Sequence, residues 1–206
     1  MSNSRRSVYF NDKSQSWNSQ PDTSRVQVRE FHRGLPDYKQ SPLVKLDGLA
    51  KDLGVQAIYL KDEGSRFGLP SFKILGASWG THQAITSRLN LSIDCDLDTV
   101  KRSLVGQDIS LHAATDGNHG RAVARMGHWL DLPVVIRVPA GMHQSTINFI
   151  ESEGARVCQS AGNYDQAVLE AQAASNTDGG IFIQDFAFGD YTDIPQVGQY
   201  YFCDGR

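Results

Sequence analysis

Cysteine is scarce in this 206-residue chain: only Cys95, Cys158 and Cys203 occur, an odd number without the close spacing of metal ligands. That argues against a disulfide framework and against a zinc site, and suits a reducing compartment. Long apolar runs are missing too. None approaches the roughly 18 residues that a membrane-spanning helix needs, and the first residues lack the apolar centre of a secretory signal. Charge of one sign is not in excess, because 20 Lys and Arg stand against 23 Asp and Glu, giving a net charge of -3 and a pI near 6.0. Neither nucleic acid nor an anionic membrane has an electrostatic reason to bind. The expected partner is a small molecule and the expected location is the cytoplasm.

What is present is enough for a packed core. With 40% hydrophobic residues the chain can form one generous domain or two small ones. The pattern begins with a polar arm over 1–24, then a strand or short helix from Val26 to Phe31, a loop through Ser41-Pro42-Leu43, and a helix from Leu46 to Leu53 that Gly54 would close. Ala57 to Lys61 reads as a short buried strand, Lys73 to Ile85 as a helix, and 97–105 as a short helix. Asp94, Asp96 and Asp98 lack the spacing and central glycine of a calcium loop, so a solvated surface is expected and no metal site. From Ile109 the alternation becomes regular. Strands are expected at 109–113, 133–138, 156–159 and 181–184, with helices at 118–130, 143–153 and 164–175 between them. Such βαβ repetition implies an α/β fold with a parallel sheet and flanking helices, and Asp178-Gly179-Gly180 reads as a tight turn.

Chemistry gathers at the carboxyl ends of parallel strands, and two turns there carry unusual residues. The first leads through Gly64-Ser65-Arg66-Phe67-Gly68-Leu69-Pro70-Ser71-Phe72 into Lys73 at a helix start. A lysine amine in a first helical turn faces the positive end of the macrodipole, and burial there favours the neutral, nucleophilic form that Schiff-base chemistry requires. The second is Thr115-Asp116-Gly117-Asn118-His119-Gly120, whose glycines would let a ligand approach the backbone and whose helix amides would hold a carboxylate or phosphate. Each turn has a plainer structural meaning: Lys73 as an ordinary exposed lysine, Asp116 or Asn118 as an N-cap, and His119 as a helix residue facing solvent.

The pairing of S-F-K at 71–73 with D-G-N-H-G at 116–120, followed by V-V-I-R-V-P at 134–139, resembles the tryptophan-synthase-β type of pyridoxal-phosphate enzyme. Within it, K-D-E-G-S-R-F-G-L-P-S-F-K-I-L-G at 61–76, Thr115-Asp116 and Q-D-F-A-F at 184–188 are similar to the diaminopropionate ammonia-lyases. The resemblance implies a two-domain fold of type II, with 25–76 in a larger domain, 77–184 as a smaller Rossmann-like domain, and the chain returning to the larger one from 185. It implies pyridoxal 5'-phosphate on Lys73 as a Schiff base, Phe72 packed near it, and Asn118 bonded to its phenolic oxygen. Lys73 would take the α-proton of an L-amino acid and Asp116 that of the D-isomer, with Asp185 a further carboxylate by the substrate. The backbone of Thr115, Asp116, Gly117, Asn118 and His119 would receive the substrate carboxylate. The implied reaction is α,β-elimination of 2,3-diaminopropionate to pyruvate and ammonia, and the family is homodimeric. Elimination also calls for an acid to protonate the leaving amine. A carboxyl group such as Asp116 serves only where burial or a neighbouring charge keeps its proton on.

The resemblance ends near Gln196. Family members are about twice as long and hold the cofactor phosphate and pyridine nitrogen with later segments, so the chain is expected to be a C-terminally truncated member with an incomplete larger domain and a divergent tail over 197–206. The alternatives are a threonine or serine dehydratase-like lyase, which the string at 61–76 and Asp116 weigh against, and a catalytically inactive fragment.

Overall fold

The computed structural model of the chain describes residues 24–192 and 194. The expected arm, apart from Ser24, and the expected tail over 197–206 lie outside the described residues.

The order of elements follows the apolar periodicity. Helix α1 (Ser24–Arg33) precedes strand β1 (Leu43–Lys45), helix α2 (Asp47–Leu53), strand β2 (Tyr59–Lys61), helix α3 (Lys73–Arg88) and helix α4 (Leu97–Ser103). Then come β3 (Leu111–Ala114), α5 (Asn118–Leu130), β4 (Val134–Val138), α6 (Gln144–Glu151), β5 (Arg156–Gln159), α7 (Tyr164–Thr177) and β6 (Ile181–Phe182). Helix α2 ends where Gly54 adopts the left-handed conformation that lets its amide reach back to the last turn. Gly179, also left-handed, makes the expected turn into β6.

Four strands form a parallel sheet in the order β5-β4-β3-β6. Strand β3 is buried at every position, as a central parallel strand covered on both faces must be. Its register, Leu111 opposite Val134 and Ala113 opposite Ile136, brings it into one apolar cluster with Leu75 and Ala77 of α3 and Ala122 and Val123 of α5. Helix α3 is the central support, buried without interruption from Ile74 to His82. Because β4 lies on one side of β3 and β6 on the other, the sheet reverses its winding between β3 and β6. The carboxyl ends of these two strands therefore open a crevice.

Of the two readings open at 26–31 the helix is the one observed, with His32 of α1 buried and its Nε2 2.8 Å from the Leu75 carbonyl oxygen. Two other expectations at the N-terminal side need correction. Strand β1 lies where a loop was expected: Leu43 pairs with Lys61 and Lys45 with Tyr59, antiparallel. Strand β2 is exposed, not buried, at Tyr59 and Leu60. An apolar run specifies that a strand can form but not what covers it, and among the described residues this pair of strands stands alone.

Candidate active site

Lys73 is presented by a loop built for rigidity. The guanidinium of Arg66 is almost wholly buried and donates to both carboxylate oxygens of Glu63, at 2.6 and 2.7 Å, to Ser41 Oγ at 2.7 Å and to the Lys39 carbonyl at 3.2 Å. Lys61 Nζ donates to the Ser41 carbonyl at 2.8 Å. Bidentate, charge-assisted bonds of this kind fix geometry as well as lower energy. Burial pushes the Glu63 carboxyl up, but its bonds from Arg66 and Ser41 hold it below the ordinary value. Much of the string at 61–76 thus cages the loop, and only Pro70 and Lys73 of it line the cleft described below. Phe67 takes a left-handed backbone conformation, and its carbonyl accepts from Arg125 Nη1 at 2.8 Å, which ties the loop to α5.

Lys73 opens α3, its amide donating to Ser71 Oγ at 3.1 Å. Its Nζ lies 5.4 Å from the centre of the Phe72 ring and donates to Asp185 Oδ2 at 2.6 Å. The side chain is 36% exposed, so it is an ion-paired lysine at the floor of an open cleft, not a deeply buried amine. Asp185 follows β6 and is largely buried. Burial alone would raise its carboxyl, yet the facing His119 and Lys73 hold it below the ordinary value. This pairing of residues 112 apart in sequence is made by the sheet reversal between β3 and β6.

The β3–α5 turn forms the opposite wall. Thr115 is buried, its amide bonded to the Arg137 carbonyl and its Oγ1 accepting from the amides of Gly117 at 2.9 Å and Gly120 at 3.0 Å. Gly120 is therefore explained by packing and not by ligand approach: a Cβ there would sit 2.4 Å from Thr115 Cγ2. The amides of Asn118 and His119, at the start of α5, have no acceptor among the described residues, and such orphan donors at a helix start favour an anion. Asp116 and Asn118 are exposed at the cleft. His119 does not face solvent. It is buried, its Nε2 2.9 Å from the Ile183 carbonyl, which only accepts, so Nε2 carries the proton. Nδ1 is unpartnered and lies 3.8 Å from Asp185 Oδ2. Burial above all holds the imidazole below its ordinary pKa and neutral.

A cleft of about 500 Å³ is lined by Lys73, Asp116, Gly117, Asn118, His119 and Asp185 together with Pro70, Arg121, Thr146, Phe149 and Tyr164. Six of the eight residues singled out in the sequence thus share one cavity; Phe72 and Thr115 stand behind its wall. Tyr164, at the start of α7, and Gln184, just after β6, were missed. Tyr164 reads in sequence as an ordinary first residue of a helix, and Gln184 only as the first residue of the string at 184–188.

The family described as pyridoxal-phosphate dependent enzyme matches residues 35–199. The chain belongs to that family. It is 34% identical over 168 residues to the diaminopropionate ammonia-lyase of Escherichia coli (strain K12), covering 82% of this chain and 42% of that protein. A crystal structure of the holo Escherichia coli diaminopropionate ammonia-lyase superposes with a TM-score of 0.82 at 32% identity, over 89% of this chain and 48% of the other. The same enzyme in complex with an aminoacrylate-PLP azomethine reaction intermediate gives 0.78 at 31% identity, over 91% and 48%. The family fold is thus that of the type II pyridoxal-phosphate enzymes, and this chain spans about two fifths of the length of the curated relatives it matches.

Proposed function

We propose that this chain carries the lysine side of a pyridoxal-phosphate site for α,β-elimination of 2,3-diaminopropionate to pyruvate and ammonia. One observation carries the reading: Lys73 Nζ, held 2.6 Å from Asp185, opens onto the same cleft as the orphan amides of Asn118 and His119 and the carboxylate of Asp116. The donor set suits the cofactor. Lys73 offers an amine that can hold it covalently through Nζ, with the Phe72 ring beside that amine, and Asn118 an exposed amide for a ring oxygen. When bound, pyridoxal phosphate supplies the electron sink for the pair released as the Cα–H bond breaks.

The chain's own groups divide the remaining work. The free amides at the start of α5 receive the substrate carboxylate. Asp185 orients Lys73 and returns it to place after each proton transfer, so Lys73 takes the α-proton from one face while Asp116, across the cleft, serves the other and hence the D-isomer. Residues 25–76 act as part of a larger domain and 77–184 as the smaller one, a division supported by the separate two- and four-stranded sheets. Cytoplasmic residence accords with the free thiols of Cys95 and Cys158, and homodimeric assembly rests on the family resemblance.

Titration of the 206-residue chain with pyridoxal phosphate, followed by borohydride reduction and peptide mapping, tests the proposal. The expected result is a stable adduct on Lys73, lost in Lys73→Ala, together with pyruvate release from diaminopropionate. An adduct spread over other lysines, or none at all, would refute it.

A further inference from the structure

Elimination leaves one proton unassigned, the one the departing nitrogen must gain, and the cleft holds few groups able to give it. Asp116 is exposed at the cleft and is already assigned as the base for the opposite face. His119 has its only ring proton committed to the Ile183 carbonyl. Lys73 Nζ donates to Asp185 at 2.6 Å and serves Cα, Asp185 is held ionised by its neighbours, and the hydroxyl of Thr146 is an aliphatic alcohol, a far weaker acid than a phenol. Tyr164 differs from all of these. Its oxygen accepts from Gln184 Nε2 at 2.9 Å, and its own O–H has no acceptor among the described residues, although the ring lines the cleft. Gln184 is completely buried, and its other end, Oε1, accepts from the Ala114 amide at 3.2 Å. That bond fixes which end of the amide faces the tyrosine. The tyrosine oxygen is thus obliged to accept from Gln184, and its proton turns toward the cleft.

We propose that Tyr164 is the acid for the leaving amino group and that Gln184 is the positioning residue that aims it. This inference rests on the ammonia-lyase reading of the site. As the Cα–H pair becomes the Cα–Cβ double bond, the Cβ–N bond breaks with its electrons going to nitrogen. The Tyr164 O–H bond breaks with it, its proton joining nitrogen to complete ammonia, and the phenolate recovers through solvent the proton that the base took from Cα. Burial, then the charges of Asp185 and Asp116, push the Tyr164 hydroxyl up to about 12, so it holds its proton throughout the working range.

Two substitutions and two substrates test this on the pyridoxal-phosphate-loaded chain. Tyr164→Phe should lower kcat for diaminopropionate by about 100-fold or more, the usual scale for a lost acid. It should leave elimination from β-chloroalanine, whose chloride departs without a proton, changed by less than about threefold. Gln184→Glu keeps the shape and the Ala114 bond but makes Tyr164 donate to the new carboxylate, so it should reproduce the same selective loss. Equal losses on both substrates would mean a structural role, and no loss on either would mean no role; each overturns the proposal. A cofactor-free readout separates the aiming from turnover. With tyrosine labelled at Cζ, the carbon resonance that vanishes in Tyr164→Phe should shift in Gln184→Glu, and an unmoved resonance refutes the relay. A wild-type chain active on neither substrate would sink the ammonia-lyase reading, and the inference with it.

Discussion

The four-stranded sheet and the β1–β2 pair are built from similar apolar residues but use them differently. In the sheet, β3 is covered on both faces, and Leu111, Ala113 and Ile136 are fully buried between α3, α5 and their neighbours. In the pair, Leu43, Tyr59 and Leu60 are more than half exposed, as is Leu53 of the adjoining α2. Burial of a large aliphatic side chain contributes about 1.5–3 kcal/mol, so the first region holds the fold and the second adds little among the described residues. The comparison also locates the site. Asp116 and Asn118 follow β3 and Asp185 follows β6, whereas Lys73 reaches them from α3 through a loop caged by Arg66 and pinned to α5 by Arg125. A rigid sheet supplies most of the groups and a clamped loop supplies Lys73.

The contrast can be broken most forcefully at the sheet. Ile136→Ala in β4 should lower stability by about 2–5 kcal/mol in urea unfolding, since it leaves a cavity at a site with no solvent access. A loss below 1 kcal/mol would mean that this core is not the one holding the fold. At the active-site turn, Gly120→Ala drives a methyl against Thr115 and Ile136 and should cost about 1–3 kcal/mol by overpacking. Because Thr115 Oγ1 organises the turn, the variant should also weaken cofactor trapping on Lys73.

A smaller effect depends on pH. His82 of α3 donates its Nε2 proton to the Ile93 carbonyl, and burial holds its pKa below the ordinary value; His119 shares that depression. The folded chain then binds fewer protons than the unfolded one. The stability these groups contribute is complete above the unfolded histidine pKa of about 6.5, and it is lost as pH falls from there through the lower folded values. Urea midpoints should be flat above neutrality and fall on acidification, with a shallower fall in His82→Phe. A midpoint that rises on acidification reverses the sign and refutes the assignment. The least change is expected in the strand pair: Leu60→Thr, on an exposed strand position, should shift stability by no more than about 0.5 kcal/mol. A larger loss would show that β2 is covered in solution.

The sequence and the structure agree most closely where periodicity and local chemistry act alone. The βαβ alternation from β3 onward, the helix over Asn118–Leu130, the strand over Arg156–Gln159 and the left-handed glycines at 54 and 179 follow from side-chain spacing and backbone sterics within a few residues. They were legible for that reason. The segment at 43–45 was not, because Ser41-Pro42 signals a loop and a three-residue strand exists only through its partner at 59–61. His119 was equally illegible. Its place in D-G-N-H-G marks a helix start but not that the imidazole lies buried against the Ile183 carbonyl.

For the site the division is sharper. The sequence by itself determined that a lysine opens a helix, that a glycine-flanked asparagine opens another, and which family those strings belong to, because turn chemistry is local. Only the tertiary structure decided that Lys73 meets Asp185, that Thr115 is buried behind the turn, and that Gln184 donates to Tyr164. The Lys73 and Gln184 contacts depend on where the sheet reverses between β3 and β6, and the positions of two strands 70 residues apart are fixed by packing alone.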